Sequence, residues 1–488
     1  MRLLKQILFS LIFFVFSYVV GQELEDGLTL EKKSVVILPG QDAENPESIS
    51  SKVTSIVAAK AVELGRFNVI DLTKIESILA EQKRQLSGIV DETQIVEIGN
   101  LAAADEALLV NIIAFGQRGV PPKRKKLKKD EDEDKDEETL FEWIIKEGGK
   151  AAIQNNQKVS NPYPNNIQTI LEIEVRLLNI ETGISQNSFL ITPTHTGGNK
   201  TASLNTVLND LSSQVSRKLR EFYLIASEVI EKDGSRITIL TGDDMGLEEG
   251  TIFEVSSPDQ EKTYKGRVVR IPGSPVALIK LTNIGTNSSS AEIIRRWKNE
   301  VQAGHIVNEM IYDPTATEYG IKTNGTNFNL DAKLWWSPFN KFPMAVTGHL
   351  GTMKDSRKEN DFFMGLGVEF KTKILQLGKS HYSTGINLPF NWAFKTDDDN
   401  NYVSQTIFNP AINFTTSIIL DSKRDLFIRL QYVSSAPADD WEYSEEEENE
   451  DEPNDIIYRP AVWHEEEGIP VLNIAGFYIT VGMSIFDY

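Results

Sequence analysis

Five histidines, His195, His305, His349, His381 and His464, are the residues of this 488-residue chain best suited to metal ligation or proton transfer. They lie far apart, and none stands at metal-ligand spacing to another. The acidic pair Asp243-Asp244 could bind calcium, and Asp397 to Asp399 in TDDDNN offers more carboxylates. A turn accounts for the first and a hairpin loop for the second. There is no Gly-x-Ser-x-Gly elbow, no phosphate-binding loop and no His-Glu-x-x-His. No constellation meets the requirements of a catalytic site, so the expectation is a non-enzyme with no catalytic residue, no cofactor and no metal.

The chain opens with Arg2 and Lys5 ahead of an apolar run from Ile7 to about Val20, broken by Gly21-Gln22. These are the three parts of a secretory signal peptide over 1–21, and the run is at the short end for a membrane-spanning helix. Export permits disulfides, yet the sequence holds 0 cysteines, which also excludes a lipid anchor on an N-terminal cysteine. With 40% hydrophobic and 25% charged residues, a normal core is within reach of each domain. A net charge of -21 and a pI near 4.8 argue against a nucleic-acid surface.

Three segments are expected to form an α+β multidomain protein. The first, 32–225, alternates strands and helices. Ser34 to Gly40 reads as a buried strand, and Ile49, Val53, Ile56, Val57, Ala61 and Leu64 fall on one helical face. The strand Phe67 to Ile70 runs into a helix whose Thr73 and Glu76 have capping-box spacing, with Ile75, Ile78 and Leu79 as its apolar side. Lys74, Lys83 and Arg84 are free there to face a partner. A third helix starts at Asp91 to Gln94; strands follow over Ala107 to Phe115 and Ile170 to Leu178, then a turn, a return strand and a helix over Thr201 to Phe222.

A charged, disordered insert, 119–166, interrupts this domain. Its basic block, Lys123, Arg124, Lys125, Lys126, Lys128 and Lys129, abuts the acidic block Asp130 to Glu138. A solvated loop is one reading, and docking onto anionic lipid headgroups or a partner is the other. Leu140, Phe141, Trp143, Ile144 and Ile145 suit a short amphipathic helix within it.

The second segment, 227–310, holds short strands with turn signals, including a hairpin at Asp233-Gly234 and a strand over Gly266 to Ile271, as a small SH3-like β-barrel would. The third, 325–488, has about eight long strands of strict alternation, the pattern of a C-terminal antiparallel β-barrel in an outer membrane. Leu426, Ile428, Leu430 and Tyr432, for example, alternate with Phe427, Arg429 and Gln431. Phe486 and Tyr488 fall on the polar parity of the last strand, so a soluble β-sandwich stays open as the alternative.

Phe67 to Asp71, Ile75, Ile78-Leu79, Gln82, the Gln85-Leu86-Ser87-Gly88 break, and Glu97-Ile98-Gly99 through Ala103-Ala104-Asp105 together resemble the curli-secretion channel family, the CsgG-type domain. The strand Leu171 to Leu178 with Asn179 and Glu181-Thr182-Gly183 is similar to that family's next strand and turn, and the likeness spans about Lys32 to Tyr223. It implies an exported, non-enzymatic component of secretion or surface-structure assembly, working as a homo-oligomer or envelope protein complex in the periplasm and at the outer membrane, without nucleic acid. Two features depart from it: the charged insert occupies the place of one pore hairpin, and Leu190 to Asn199 is too short for the other. Gly246-Leu247, Gly250, Phe253 and Val255 are similar to the C-terminal domain of flagellar ring-assembly proteins. The competing reading is a soluble periplasmic binding or regulatory protein, of the cell-wall synthase activator or flagellar ring accessory type.

Signal cleavage is directly checkable: N-terminal sequencing of the exported protein should begin close after Gly21, and an intact N-terminus would restore the membrane-helix reading.

Overall fold

The computed structural model describes residues 28–29, 31–40, 47–70, 103–122, 163–298, 300–447, 455–464 and 468–488. The signal peptide, the Thr73–Glu76 cap, Lys74, Lys83 and Arg84, the third helix and the charged blocks from Lys123 to Glu138 lie outside the described residues. The chain divides into two compact units. One contains the α/β domain with residues 241–248 and 285–288, and the other contains most of the small barrel together with the C-terminal barrel.

In the α/β domain the elements run β1 (Ser34–Pro39), α1 (Glu47–Leu64), β2 (Asn68–Ile70), β3 (Glu106–Gly119), β4 (Ile167–Asn179), β5 (Ser185–Ile191), β6 (Thr194–Thr196) and α2 (Lys200–Phe222). The sheet order is β2-β1-β3-β4-β5, with β6 on the start of β4. β1 is parallel to both its neighbours, and the remaining pairs are antiparallel. Such a central parallel strand is buried on both faces and reads as a continuous apolar run. Val35 and Ile37 accordingly join the helix-covered core, while Val36 and Leu38 pack with Ala107, Leu109, Leu178 and Ile180 on the other face. In α2, Asn199 caps the first turn by accepting from the Ala202 N–H at 2.9 Å. Ser203, Val207, Leu211, Val215 and Leu219 then recur at every fourth position and are buried.

The small barrel comprises β7 (Ala226–Asp233), β8 (Arg236–Ile239), β9 (Ile252–Ser256), β12 (Pro275–Ile284), β13 (Ser289–Arg296) and β14 (Ile306–Glu309), closed in the order β12-β13-β8-β7-β14-β9. It is therefore six-stranded and closed. The strand expected over Gly266 to Ile271 is not one of its staves: β10 (Gln260–Tyr264) and β11 (Arg267–Ile271) form a separate two-stranded sheet. Every residue of that hairpin is exposed, because no third strand or helix covers either face.

The C-terminal barrel begins earlier than the expected 325, with β15 (Thr315–Thr323). It continues through β16 (Phe328–Trp336), β17 (Met344–Lys354), β18 (Asn360–Leu377), β19 (Ser380–Thr396), β20 (Tyr402–Phe408), β21 (Ala411–Ile419), β22 (Arg424–Val433), the hairpin β23 (Glu442–Glu447) and β24 (Asp455–Pro460), and β25 (Gly476–Asp487). β20 and β21 form one stave against β19, interrupted at Asn409-Pro410, where proline offers no N–H to the ladder. β18 pairs with β19, and β25 pairs with both β15 and β22, so eight antiparallel staves close on themselves. The seam at β15 and β25 needs glycine. A Cβ on Gly482 would lie 2.1 Å from the Tyr319 carbonyl oxygen, and one on Gly320 would lie 2.7 Å from the Thr480 methyl.

At one mouth the staves are joined by the short turns 337–343, 378–379 and 420–423, and here the small barrel packs. Ile252, Leu278 and Trp297 bury against Ile419, flanked by Phe339 and Tyr488. At the opposite mouth, Trp441, Leu472 and Ile474, from the described parts of the connection between β22 and β25, pack among the inward-facing Phe363, Ala393, Val403 and Tyr478.

In the α/β domain, Tyr223 donates to Glu106 Oε2 at 2.8 Å, and Lys33 pairs with Oε1 of the same carboxylate at 2.5 Å. Burial first, and then the Glu106 charge, hold the Tyr223 phenol well above its ordinary value near 10. A raised folded-state value means that this contribution to stability is complete below the unfolded value and is lost as pH rises through the folded one. Tyr223→Phe should therefore cost about 1 kcal/mol at neutral pH and lessen the loss of stability above about pH 10, as read from denaturant midpoints across the alkaline range.

Candidate functional site

Alternation along each stave of the C-terminal barrel sends one parity inward and the other outward. On β22, Asp425, Phe427, Arg429, Gln431 and Val433 are buried, whereas Leu426, Ile428, Leu430 and Tyr432 are 41 to 52% exposed. On β16, Asn329, Asp331, Lys333 and Trp335 point in, and Phe328, Leu330, Leu334 and Trp336 point out. β25 repeats this with Thr480 and Ser484 inside and Phe477, Ile479, Val481 and Ile485 outside. A barrel folded for water has the opposite polarity. Polar-in and apolar-out is the pattern of a barrel whose outer wall meets hydrocarbon.

The charges sent inward meet one another. The Arg429 guanidinium, 1% exposed, pairs with Glu318 of β15 and with Asp331 of β16 at 3.3 Å, and its Nε donates to Thr415 Oγ1 of β21 at 3.1 Å. Lys333 pairs with Glu369 of β18 and lies 3.7 Å from Asp331. Lys371 reaches Glu318 at 3.3 Å while its ammonium stands 3.7 Å over the Trp335 ring. This crossbar links five staves and fills the lumen, as side chains do in small eight-stranded barrels.

A second buried pair lies at the mouth that faces the small barrel. Arg295 of β13 pairs with Asp425 at 2.6 Å, both 1% exposed, and donates to the carbonyls of Asp421 at 2.8 Å and Ser422 at 2.9 Å. Its guanidinium stacks 4.2 Å from the Phe486 ring. Phe486 and Tyr488, which sit on the polar parity, are thereby explained: Phe486 is buried under Arg295 and against Phe339, and the Tyr488 hydroxyl donates to the Ser422 carbonyl.

The structure brings no histidines together. His195 lies beside Ser203 in the α/β domain, at 3.2 Å. His305 is buried in the small barrel, where desolvation holds its imidazole below the usual value. His349 and His381 face the lumen at different staves, and His464 is on an exposed loop. Asp243-Asp244 form a 3-10 turn that ends on Gly246, at φ +67°. Asp397 sits in the β19–β20 turn; despite some burial, the N–H groups of Val462, Asn401 and Asp399 and the Asn401 side chain hold it below the carboxylate range. Among the described residues one acidic trio, Asp355, Glu359 and Asp361, is close enough to hold a cation. The Lys395 ammonium already stands at 2.5, 2.8 and 3.4 Å from these three carboxylates and takes that place.

No family model matches this chain, and no curated protein does. Among solved structures it is similar to a major outer membrane protein from Thermus thermophilus, at 10% identity and TM-score 0.26, covering 36% of this chain and 100% of that one. It is also similar to Neisserial surface protein A, at 9% identity and TM-score 0.22, covering 36% and 93%. Lipoprotein GNA1162 from Neisseria meningitidis matches at 12% identity and TM-score 0.23, covering 38% and 97%. Scores this low assign nothing to this chain.

Sequence reading found the alternation but not the crossbar. The available signal was that Asp331, Lys333 and Arg429 all stand on the inward parity. Arg429→Ala would leave Glu318 and Asp331 buried without their shared cation, a loss of about 3–5 kcal/mol. The urea midpoint for unfolding of the C-terminal barrel should fall accordingly, and an unchanged midpoint would show that the crossbar is not needed.

Proposed function

We propose that this protein is a non-enzymatic, outer-membrane-anchored component of a secretion or surface-structure assembly of CsgG-like type. The eight-stranded barrel is the anchor, and the α/β domain is the part that assembles with copies of itself or with other envelope proteins. The observation that carries the reading is the polarity of the C-terminal barrel. A continuous belt of outward Leu, Ile, Val and Phe around a charged lumen suits lipid and is far larger than the apolar patches that soluble proteins leave in water.

The assembly role is supported by the residues from Lys32 to Tyr223 that resemble the curli-secretion domain. Transport through the C-terminal barrel is not part of the reading, because the Arg429 crossbar, the folded-in Trp441 segment and the small barrel each occupy the lumen or a mouth. The alternative, a soluble periplasmic binding or regulatory protein, leaves the outer belt facing water.

Membrane fractionation with carbonate extraction, combined with gel mobility before and after boiling, tests this. Carbonate-resistant protein with a heat-dependent mobility shift is expected, and a chain cut after Met310 should lose both. Complete extraction of the full chain without detergent would overturn the anchor.

A further inference from the structure

The β10–β11 hairpin is the one described element of its unit that no other element covers. Two strands alone are marginal in water. This pair continues from β9 and β12 of the small barrel, and its two legs are joined at the root, where Ser257 N–H donates to the Ser274 carbonyl at 3.0 Å and Gly273 N–H to Asp259 Oδ1 at 2.9 Å.

Its two faces differ in chemistry. Directly paired residues share a face, and the pairs Gln260–Ile271, Lys262–Val269 and Tyr264–Arg267 alternate with Glu261–Arg270 and Thr263–Val268. The first face therefore carries Tyr264, Val269 and Ile271, which are 64%, 43% and 39% exposed, together with Lys262 and Arg267 and no acid. In a chain of net charge -21, an acid-free basic face interleaved with aromatic and aliphatic groups is a specific feature. The second face holds Glu261, and Arg270 is paired with Asp259 at 3.1 Å.

The root lies at the rim of the membrane barrel. Pro275, which follows the hairpin, accepts through its carbonyl from Trp297 Nε1 at 3.0 Å, and Trp297 packs with Ile419 at the barrel mouth. Five residues per strand, at about 3.4 Å each, give the hairpin a reach of about 17 Å from that rim.

We propose that the face bearing Lys262, Tyr264, Arg267, Val269 and Ile271 rests on an anionic phospholipid headgroup surface beside the barrel, as a second membrane contact. The cations meet the phosphates while Tyr264, Val269 and Ile271 enter the boundary with the acyl chains. Charge complementarity and the position of the root at the barrel mouth favour lipid over a protein occupant. The inference rests on the barrel being membrane-embedded, so its test reads the two separately.

Because the sequence has 0 cysteines, single-cysteine variants of the full chain can be labelled cleanly. Val269→Cys reports the basic face, Val268→Cys the opposite face, and Leu430→Cys the barrel wall. Each carries a polarity-sensitive fluorophore and is reconstituted in phosphatidylcholine vesicles with and without phosphatidylglycerol. The expected result is quenching of the Val269 label by doxyl-lipid in the anionic vesicles, with the Val268 label open to aqueous acrylamide. Lys262→Gln or Arg267→Gln should reduce the surface-bound fraction, by about fivefold in its equilibrium constant for each cation lost.

Equal acrylamide access at Val268 and Val269 in anionic vesicles, with the Leu430 label quenched by lipid, overturns the hairpin contact and leaves the anchor standing. Shielding of Val269 already in detergent without phospholipid overturns it in favour of a protein occupant or second copy. An unquenched Leu430 label overturns the anchor, and this inference with it.

Discussion

Closure of the C-terminal sheet on itself is the constraint from which most of this structure follows. Once β15 pairs with β25 and β18 with β19, each of the eight staves has a hydrogen-bonded neighbour on both sides, and the ring has no edge stave. The same closure leaves each side chain two destinations, lumen or outer wall. The outer wall received the large apolar residues, so the lumen had to receive the charges, and burial makes an unpaired charge there very costly. The Arg429 crossbar is the solution: Glu318, Asp331, Lys333, Glu369 and Lys371 come from three staves and partner one another and the arginine. A network of this kind gives the barrel one register, because a one-residue slip would turn the charges outward and the leucines inward.

The mouth next to the small barrel obeys the same rule on a smaller scale. Asp425 is buried on the inward parity of β22, and its countercharge is Arg295, from a different barrel. That pairing, with Trp297 and Ile419 packed nearby, makes the small barrel part of the same compact unit as the C-terminal barrel. A module that reads as independent in the sequence is thus a fixture of the C-terminal barrel, and the hairpin that projects from it is held at the rim.

The α/β domain rests on different physics. Its core is the conventional one, with helices α1 and α2 covering an apolar sheet face, and its buried acid Glu106 is satisfied by Lys33 and Tyr223. Nothing in it resembles a reaction centre among the described residues.

Local pattern was legible wherever one period governed. The every-fourth-residue stripe of α2, the buried run Ser34 to Gly40 and the strict alternation of β16, β22 and β25 are each properties of a single segment facing a single environment, so the sequence by itself determined those elements and even the parity of Arg429 and Asp331. It did not determine which charges meet, because Glu318, Asp331, Glu369 and Arg429 become neighbours only when staves distant in sequence close into a ring. For the same reason Phe486 and Tyr488 looked misplaced until the small barrel covered them, and Gly266 to Ile271 looked like a barrel stave although its only partner is β10. Strand type is written in local alternation, whereas strand partners and the cation that neutralises a buried acid are decided by closure, a tertiary event that no single segment encodes.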